Sequence, residues 1–320
     1  MHHLDRRSFL KLSSAAALAV AAAPLASRAA STPAGAAAFK RSGKARLNLS
    51  LAAYSFRETF PIMRGKATKV TPDKATDMFK FIDYCAAQGL EGAELTSYFF
   101  ASEDDAYLLK LKRHAYLKGV AISGTAIGNN FSLTPGAKLD AEIAATKQWI
   151  DRAALMGAPH IRVFAGNIPK DLAKTLTRDQ ADKHVIEALK VCGDHAAKRG
   201  IFLGLENHDS IGSAATLIPM VEAVGNPWVG INLDSGNFRT EDPYKDFAEC
   251  VPYALNVQLK VELGHAPAGQ PKKPADLARF MKILKDGGYQ GWVALEYEAK
   301  ENPAVAIPRV LGELKKLAAA

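Results

Sequence analysis

Three acidic residues stand where chemistry is expected, because each ends a short and mostly apolar run. Glu206, Asp234 and Glu296 each follow four or five residues of this kind. Such runs are typical of strands in a parallel sheet that is covered on both faces. Burying an uncompensated carboxylate there costs free energy, so converging acids need a cation. Oxygen ligands without thiolates favour Mn²⁺, Mg²⁺ or Co²⁺ over a structural zinc.

The elements that must position these acids alternate along the chain. Eight strand–helix units start near residues 47, 90, 120, 159, 201, 228, 254 and 291. Eight units in about 250–290 residues predict a closed (β/α)₈ TIM barrel, an α/β fold of one domain, which we place at residues 46–320. The alternative is an open doubly wound sheet, which usually has fewer strands and a glycine-rich phosphate turn. The sequence contains neither GxGxxG nor GxxxxGK[ST].

Local signals predict where several helices begin. Thr71, Pro72 and Asp73 predict the start of a helix that runs to about residue 88, and Ser102 is the expected cap of the next. Thr177 and Gln180 have the spacing of a capping box.

The N-terminal residues resemble a twin-arginine export signal. Arg6 and Arg7 precede an apolar run at 15–26 and small residues at 27–29. We predict a signal peptide at 1–29 and a flexible leader at 30–45, which is rich in Ala, Gly, Ser and Pro. The expected location is the periplasm or another exported compartment, with the twin-arginine machinery as a partner. An uncleaved anchor is the weaker alternative, because a spanning helix needs roughly 20 apolar residues.

Charge and cysteine content argue against a nucleic-acid-binding protein, a disulfide-stabilised protein and a zinc–thiolate protein. The formal net charge is +8, but residues 1–29 hold four basic residues and one acid, so the remainder is only mildly basic. No basic run with interleaved aromatics is present, so we expect no nucleic-acid partner. Three cysteines without a CxxC spacing do not indicate a disulfide framework or a zinc–thiolate site. The oligomeric state is not indicated.

Active sites of (β/α)₈ barrels lie at the carboxyl ends of the strands, so the strand ends supply the remaining candidates. Lys260 and His208 are candidate catalytic residues beside Glu206 and Glu296. The candidate substrate-binding residues are Tyr54, Glu94, Asn130, Arg162, Phe164 and Asn237.

Four strand-end motifs carry a family resemblance. They are Leu205-Glu206, Leu233-Asp234-Ser235-Gly236-Asn237, Val257-Gln258-Leu259-Lys260 and Leu295-Glu296-Tyr297. Together they resemble the xylose isomerase-like TIM-barrel superfamily of sugar isomerases and epimerases, over about residues 47–317. The resemblance implies one divalent metal ion, Mn²⁺ first and Mg²⁺ or Co²⁺ as alternatives, held by Glu206, Asp234, Gln258 and Glu296.

Two positions depart from the family pattern. Gln258 stands where a metal-binding His is usual, and Asn237 stands where a second His commonly follows the Asp. An amide oxygen is a weaker ligand than imidazole for borderline ions and makes the site more oxygen-like.

The resemblance implies an enzyme that moves a proton next to the carbonyl of a keto-sugar or related polyol through an enediolate. Glu206 and Glu296 would be the base and the acid, and Lys260 and His208 would orient hydroxyls or protonate an oxygen. Two alternatives stay open: elimination or hydrolysis of a 3-keto-glycoside, and a barrel that binds carbohydrate without catalysis. A repair-type nuclease would need further His and acidic metal ligands and a basic groove for DNA, and the sequence shows neither.

Overall fold

The computed structural model describes residues 38–264 and 272–320. The predicted signal peptide and the first part of the predicted leader lie outside these residues. In the described part, eight parallel strands close into one barrel, in which each strand pairs with its neighbours in sequence and the last pairs with the first. This confirms the predicted TIM barrel. The strands are β1 Arg46–Ala52, β2 Gly92–Thr96, β3 Ala121–Ala126, β4 His160–Val163, β5 Phe202–Glu206, β6 Val229–Asp234, β7 Ala254–Leu259 and β8 Gln290–Leu295.

Helices cover the outside of the barrel. They are α1 Met78–Ala87, α2 Asp105–Leu117, α3 Ala137–Met156, α4 Arg178–Arg199, α5 Ala214–Val224, α6 Pro243–Cys250, α7 Leu277–Asp286 and α8 Pro303–Ala319. Helix α7 shows the pattern that makes them pack: Leu277, Phe280, Met281 and Leu284 are buried, at the spacing of one helix face. No helix in the described ranges is long and apolar enough to cross a membrane.

Two predicted helix starts differ from the structure, and one is confirmed. Helix α1 begins at Met78 rather than near residue 72, because Asp77 is the residue whose side chain accepts from a backbone N–H, that of Lys80 at 2.8 Å. Asp104, not Ser102, caps α2 in the same way. The capping box of Thr177 and Gln180 is present at the start of α4.

The loop after β1 is long and carries its own small structures. A 3₁₀ helix spans Ala53–Thr59, and Ile62–Met63 pairs with Lys66–Ala67 as a two-stranded hairpin. Arg64 lies in the turn of this hairpin with a φ of 51°. The hairpin therefore brings an arginine to the mouth of the barrel.

Residues 38–44 lie against the opposite, amino-terminal end of the barrel. The Phe39 N–H donates to Pro252 O at 2.8 Å, and the Phe39 ring packs edge-on against Phe202, with centroids 6.0 Å apart. The Arg41 guanidinium donates to Ala254 O and lies 4.9 Å from the centroid of the Tyr289 ring. This end of the predicted leader thus packs against the starts of β5 and β7.

Candidate functional site

A polar cavity of about 280 Å³ opens at the carboxyl ends of the strands. Eight of the residues predicted for the site line it: Tyr54, Arg162, Phe164, Glu206, His208, Asn237, Lys260 and Glu296. Four further predicted residues, Glu94, Asn130, Asp234 and Gln258, are not among the lining residues.

The Lys260 side chain lies at the centre of an acidic cluster. Its Nζ is 2.8 Å from Glu296 Oε2 and 3.3 Å from Asp234 Oδ2, and it also donates to Glu298. Burial raises the pKa of the Asp234 carboxyl well above its usual range, although Lys260 opposes the shift. Burial alone would lower the pKa of Lys260, but Asp234, Glu296 and Glu298 together raise it well above its usual value. The ammonium therefore stays charged and offsets part of the negative charge of the acids around it.

Glu296 lies in the same cluster and faces the cavity. Burial raises the pKa of its carboxyl, Lys260 opposes this, and the neighbouring acids Glu298 and Glu206 raise it further. A carboxyl with a raised pKa is suited to exchange a proton near neutral pH.

Glu206 is held by a different set of partners. Arg162 Nε lies 2.9 Å from Glu206 Oε2, and Asn237 Nδ2 donates to Glu206 Oε1 at 2.8 Å. Arg162 is itself anchored, since its Nη1 donates to Ile127 O at 2.6 Å and its guanidinium lies 3.9 Å from the Phe164 ring centroid. The two predicted catalytic carboxylates are thus paired with different cations.

His208 lies at the edge of the cavity. Its ring packs on Phe164 with centroids 4.6 Å apart, and its Nδ1 lies 3.0 Å from Asp209 Oδ2. Burial alone would lower the pKa of His208, but the contact with Asp209 and the charge of Glu206 raise it. This position lets the ring meet a hydroxyl of a molecule in the cavity.

Gln258 points into the barrel interior, beneath the cavity. Its Oε1 accepts from Asn232 Nδ2 at 2.7 Å, and its Nε2 donates to Glu94 Oε2 at 2.7 Å. Asn256 Nδ2 donates to the other Glu94 oxygen at 2.9 Å. In the structure Gln258 and Glu94, predicted as a metal ligand and a substrate contact, are partners in a buried amide–carboxylate network.

The Asn130 side chain forms hydrogen bonds with nearby backbone groups. Its Nδ2 donates to Asn167 O at 2.8 Å, and its Oδ1 accepts from the Ser132 N–H at 2.9 Å. These bonds join the loops after β3 and β4, so the structure uses Asn130 to shape the rim rather than to face the cavity.

The residues present do not fit the predicted divalent ion. Lys260 stands among the acids that would hold the ion, and the Gln258 oxygen is already bonded within the interior. Among residues 38–264 and 272–320, no group of three or more His, Cys, Asp or Glu side chains is arranged to hold a metal.

Four lining residues were not predicted from the sequence: Glu298, Tyr98, Arg64 and Lys272. Glu298 follows Glu296 by two positions, and this spacing after a strand end is a signal that could have identified it. Tyr98 follows β2, and its ring lies 4.1 Å from the Arg64 guanidinium carbon. The contact depends on the hairpin after β1, whose two-residue strands leave no pattern in the sequence.

The fold and the cavity define a (β/α)₈-barrel protein with a charged pocket at the carboxyl ends of its strands. Residues 82–317 match the family described as xylose isomerase-like TIM barrel, and the chain belongs to this family. A comparison with curated proteins found no match.

Solved structures with the same fold include sugar-active enzymes. The 3-keto-D-glucoside 4-epimerase from E. coli is 17% identical with a TM-score of 0.63, covering 85% of this chain and all (100%) of that one. D-psicose 3-epimerase from Clostridium cellulolyticum H10 is 16% identical with a TM-score of 0.60, covering 78% and 84%. A xylose isomerase-like TIM-barrel protein from Mycobacterium smegmatis in complex with magnesium is 16% identical with a TM-score of 0.62, covering 86% and 96%.

Proposed function

We propose that this protein is a sugar isomerase or epimerase that moves a proton next to the carbonyl of a keto-sugar or related polyol. The observation that carries the proposal is that Glu206 and Glu296, from β5 and β8, face one cavity from separate strands. Two carboxylates placed in this way can remove a proton from one side of a substrate and return one from the other. Similarity to a 3-keto-glucoside epimerase and a psicose epimerase supports a carbohydrate as the substrate.

The proposed reaction has two proton transfers. One glutamate takes the proton from the carbon beside the carbonyl, the C–H electron pair forms a C=C bond, and the carbonyl oxygen takes the negative charge. The other glutamate returns a proton to the opposite face of the same carbon, which gives epimerisation. Return to the neighbouring carbon, with a proton moved between the two oxygens, gives isomerisation.

Other residues of the cavity bind and orient the substrate in this proposal. Lys260 and His208 donate hydrogen bonds to substrate oxygens, where negative charge develops. Tyr54 offers an apolar face to the carbon side of a sugar ring, and Phe164, whose ring contacts Arg162 and His208, positions both of these side chains. The Mn²⁺ predicted from the sequence has no part in these steps, since the site does not fit it. Export by the twin-arginine pathway is proposed from the sequence alone.

Deuterium exchange tests the proposal. The purified protein is incubated in D₂O with a panel of ketoses, inososes and 3-keto-glycosides, and products are read by NMR and mass spectrometry. We expect deuterium to enter a C–H position beside the carbonyl of one substrate. Glu296→Gln and Glu206→Gln should each slow exchange at least about 100-fold, because positioned acid–base groups contribute roughly 10²–10⁴-fold.

The matched control is Glu187→Gln, which removes an exposed acid on α4 that pairs with Lys190 and should leave exchange unchanged. Full exchange in Glu296→Gln would contradict the proton-transfer role of that residue. Binding without exchange by the wild-type protein would favour a carbohydrate-binding barrel. Loss of a leaving group from a 3-keto-glycoside would redirect the assignment to elimination or hydrolysis.

A further inference from the structure

We propose that Lys260 is the built-in cation of this site, and that its ammonium stands where a divalent ion would otherwise be held. This inference deepens the proposed function, on which its catalytic part rests. The inference is based on the position of the Lys260 ammonium. Asp234, at the end of β6, and Glu296, after β8, both contact Nζ of Lys260, which follows β7. The Lys260 side chain is 9% exposed, and those of Asp234 and Glu296 are 0% and 7% exposed.

The turn after β6 fits closely around the aliphatic part of the Lys260 side chain. The Lys260 N–H donates to Ser235 Oγ at 2.8 Å, which joins its backbone to the turn after β6. A Cβ added to Gly236 would lie 2.8 Å from Lys260 Cδ and 2.9 Å from Lys260 Cβ, so only a glycine leaves room for the stem. The Gly236 N–H in turn donates to Asp234 Oδ1 at 2.7 Å. In this turn Asp234 supplies an acid for the Lys260 ammonium, and the Ser235 hydroxyl accepts from the Lys260 backbone N–H. Gly236 leaves space for the Lys260 side chain.

A divalent ion at this point would have to displace the ammonium. The ammonium would then lose Asp234, Glu296 and Glu298 at once, and a buried charge without a partner is costly. An ion at Glu206 would compete with two neighbours of its carboxylate, since Arg162 Nε lies 2.9 Å from Oε2 and Asn237 Nδ2 donates to Oε1. Gln258 is likewise engaged with Asn232 and Glu94. The four residues implied as ligands are all committed to other partners.

The ammonium can perform the electrostatic part of the reaction. Lys260 lines the cavity, and its three N–H groups are donors that can shift from a carboxylate to a substrate oxygen as negative charge develops there. Its proton need not leave the nitrogen, so the atoms balance with the two transfers of the proposed reaction. Proton transfer at carbon then proceeds without a bound metal ion.

Metal titration tests the inference without relying on turnover. Chelator-treated wild-type protein, Lys260→Met and the control Lys282→Met are titrated with MnCl₂ and followed by calorimetry and by the EPR signal of free Mn²⁺. Lys282 is an exposed lysine on α7 that pairs with Asp286, so its removal changes charge but not the site. We expect Lys260→Met to bind one Mn²⁺ at least tenfold more tightly than the wild type, and Lys282→Met to behave like the wild type.

Several outcomes would overturn the inference. One is saturable binding of Mn²⁺ at micromolar concentration by the wild-type protein that is lost in Glu296→Gln. Another is a folded Lys260→Met with no gain in Mn²⁺ affinity. Should Lys260→Met not fold, the wild-type titration and the less drastic Lys260→Gln decide by the same criteria. The isomerase reaction could fail while Lys260→Met gains a Mn²⁺ site. That result would support Lys260 as the built-in cation and would reject only its role in catalysis.

Discussion

Replacing Gln258 with methionine separates a structural role in the barrel interior from a role in the cavity. The Gln258 amide bonds Asn232 and Glu94, both at 2.7 Å, and all three side chains are buried. Methionine has a similar length but no hydrogen-bonding group, so each partner loses one bond. A buried polar group left without its partner costs about 1–3 kcal/mol, so the two losses together lower the free energy of unfolding by roughly 2–6 kcal/mol.

Urea unfolding followed by circular dichroism measures this loss. Domains are typically stable by about 5–15 kcal/mol, so a change of this size is readily resolved. The matched control is Gln148→Met at an exposed position on α3, for which a change within about 0.5 kcal/mol is expected. A loss below about 1 kcal/mol for Gln258→Met would refute the reasoning. A ligand role would instead show wild-type stability in chelator and a deficit only when Mn²⁺ is present.

Three further predictions concern other buried groups. Arg162→Met should lower the free energy of unfolding in urea by about 3–5 kcal/mol, because it leaves the Glu206 carboxylate buried without its guanidinium partner. Gly124→Ala should cost about 1–3 kcal/mol, measured by thermal unfolding, because the new Cβ would lie 2.0 Å from His160 Cε1 in the barrel interior. Burial raises the pKa of the Cys192 thiol from 9.0 to about 12, so its thiolate fraction at pH 8 falls roughly 1,000-fold and iodoacetamide should not modify it in the folded protein.

Each of these predictions has its own control. Adding Glu206→Gln to Arg162→Met should restore part of the lost stability, and a strictly additive double variant would contradict the ion pair. Gly312→Ala adds a methyl group on α8 with nothing within 4 Å, so it should not destabilise; equal losses at both glycines would argue against the clash at Gly124. Cys192 should react once urea unfolds the chain, and rapid labelling in buffer would contradict its burial.

The barrel could be predicted because its signals are local. Each strand is a short apolar run, and each acid at a strand end interrupts that run, so Glu206 and Glu296 were placed correctly at the carboxyl ends of β5 and β8. The direction of a side chain beyond the strand end is not a local property. Gln258 is bonded to Glu94, a residue 164 positions away, and nothing in the sequence near Gln258 indicates this partner.

The loops explain the other differences. The helix start predicted near Thr71 fails because the Thr76 N–H donates to Thr59 O at 2.9 Å, which holds this segment in place until Asp77 can cap α1. Arg64 reaches the cavity through the hairpin after β1, whose two-residue strands are too short to leave a periodic pattern. There its guanidinium contacts the ring of Tyr98, which follows β2. Such contacts depend on tertiary packing rather than on sequence periodicity.

The pairing of β1 with β8 has a consequence for the chain during its synthesis. The barrel closes only when Leu295 in β8 pairs with Leu51 in β1, and these two residues are about 240 positions apart. At the usual 5–20 residues per second, the outer edge of β1 is therefore made roughly 12–48 s before its partner strand. An unpaired strand edge is a template for pairing with other chains. The position of the last strand therefore sets how long this edge of β1 stays unpaired during synthesis.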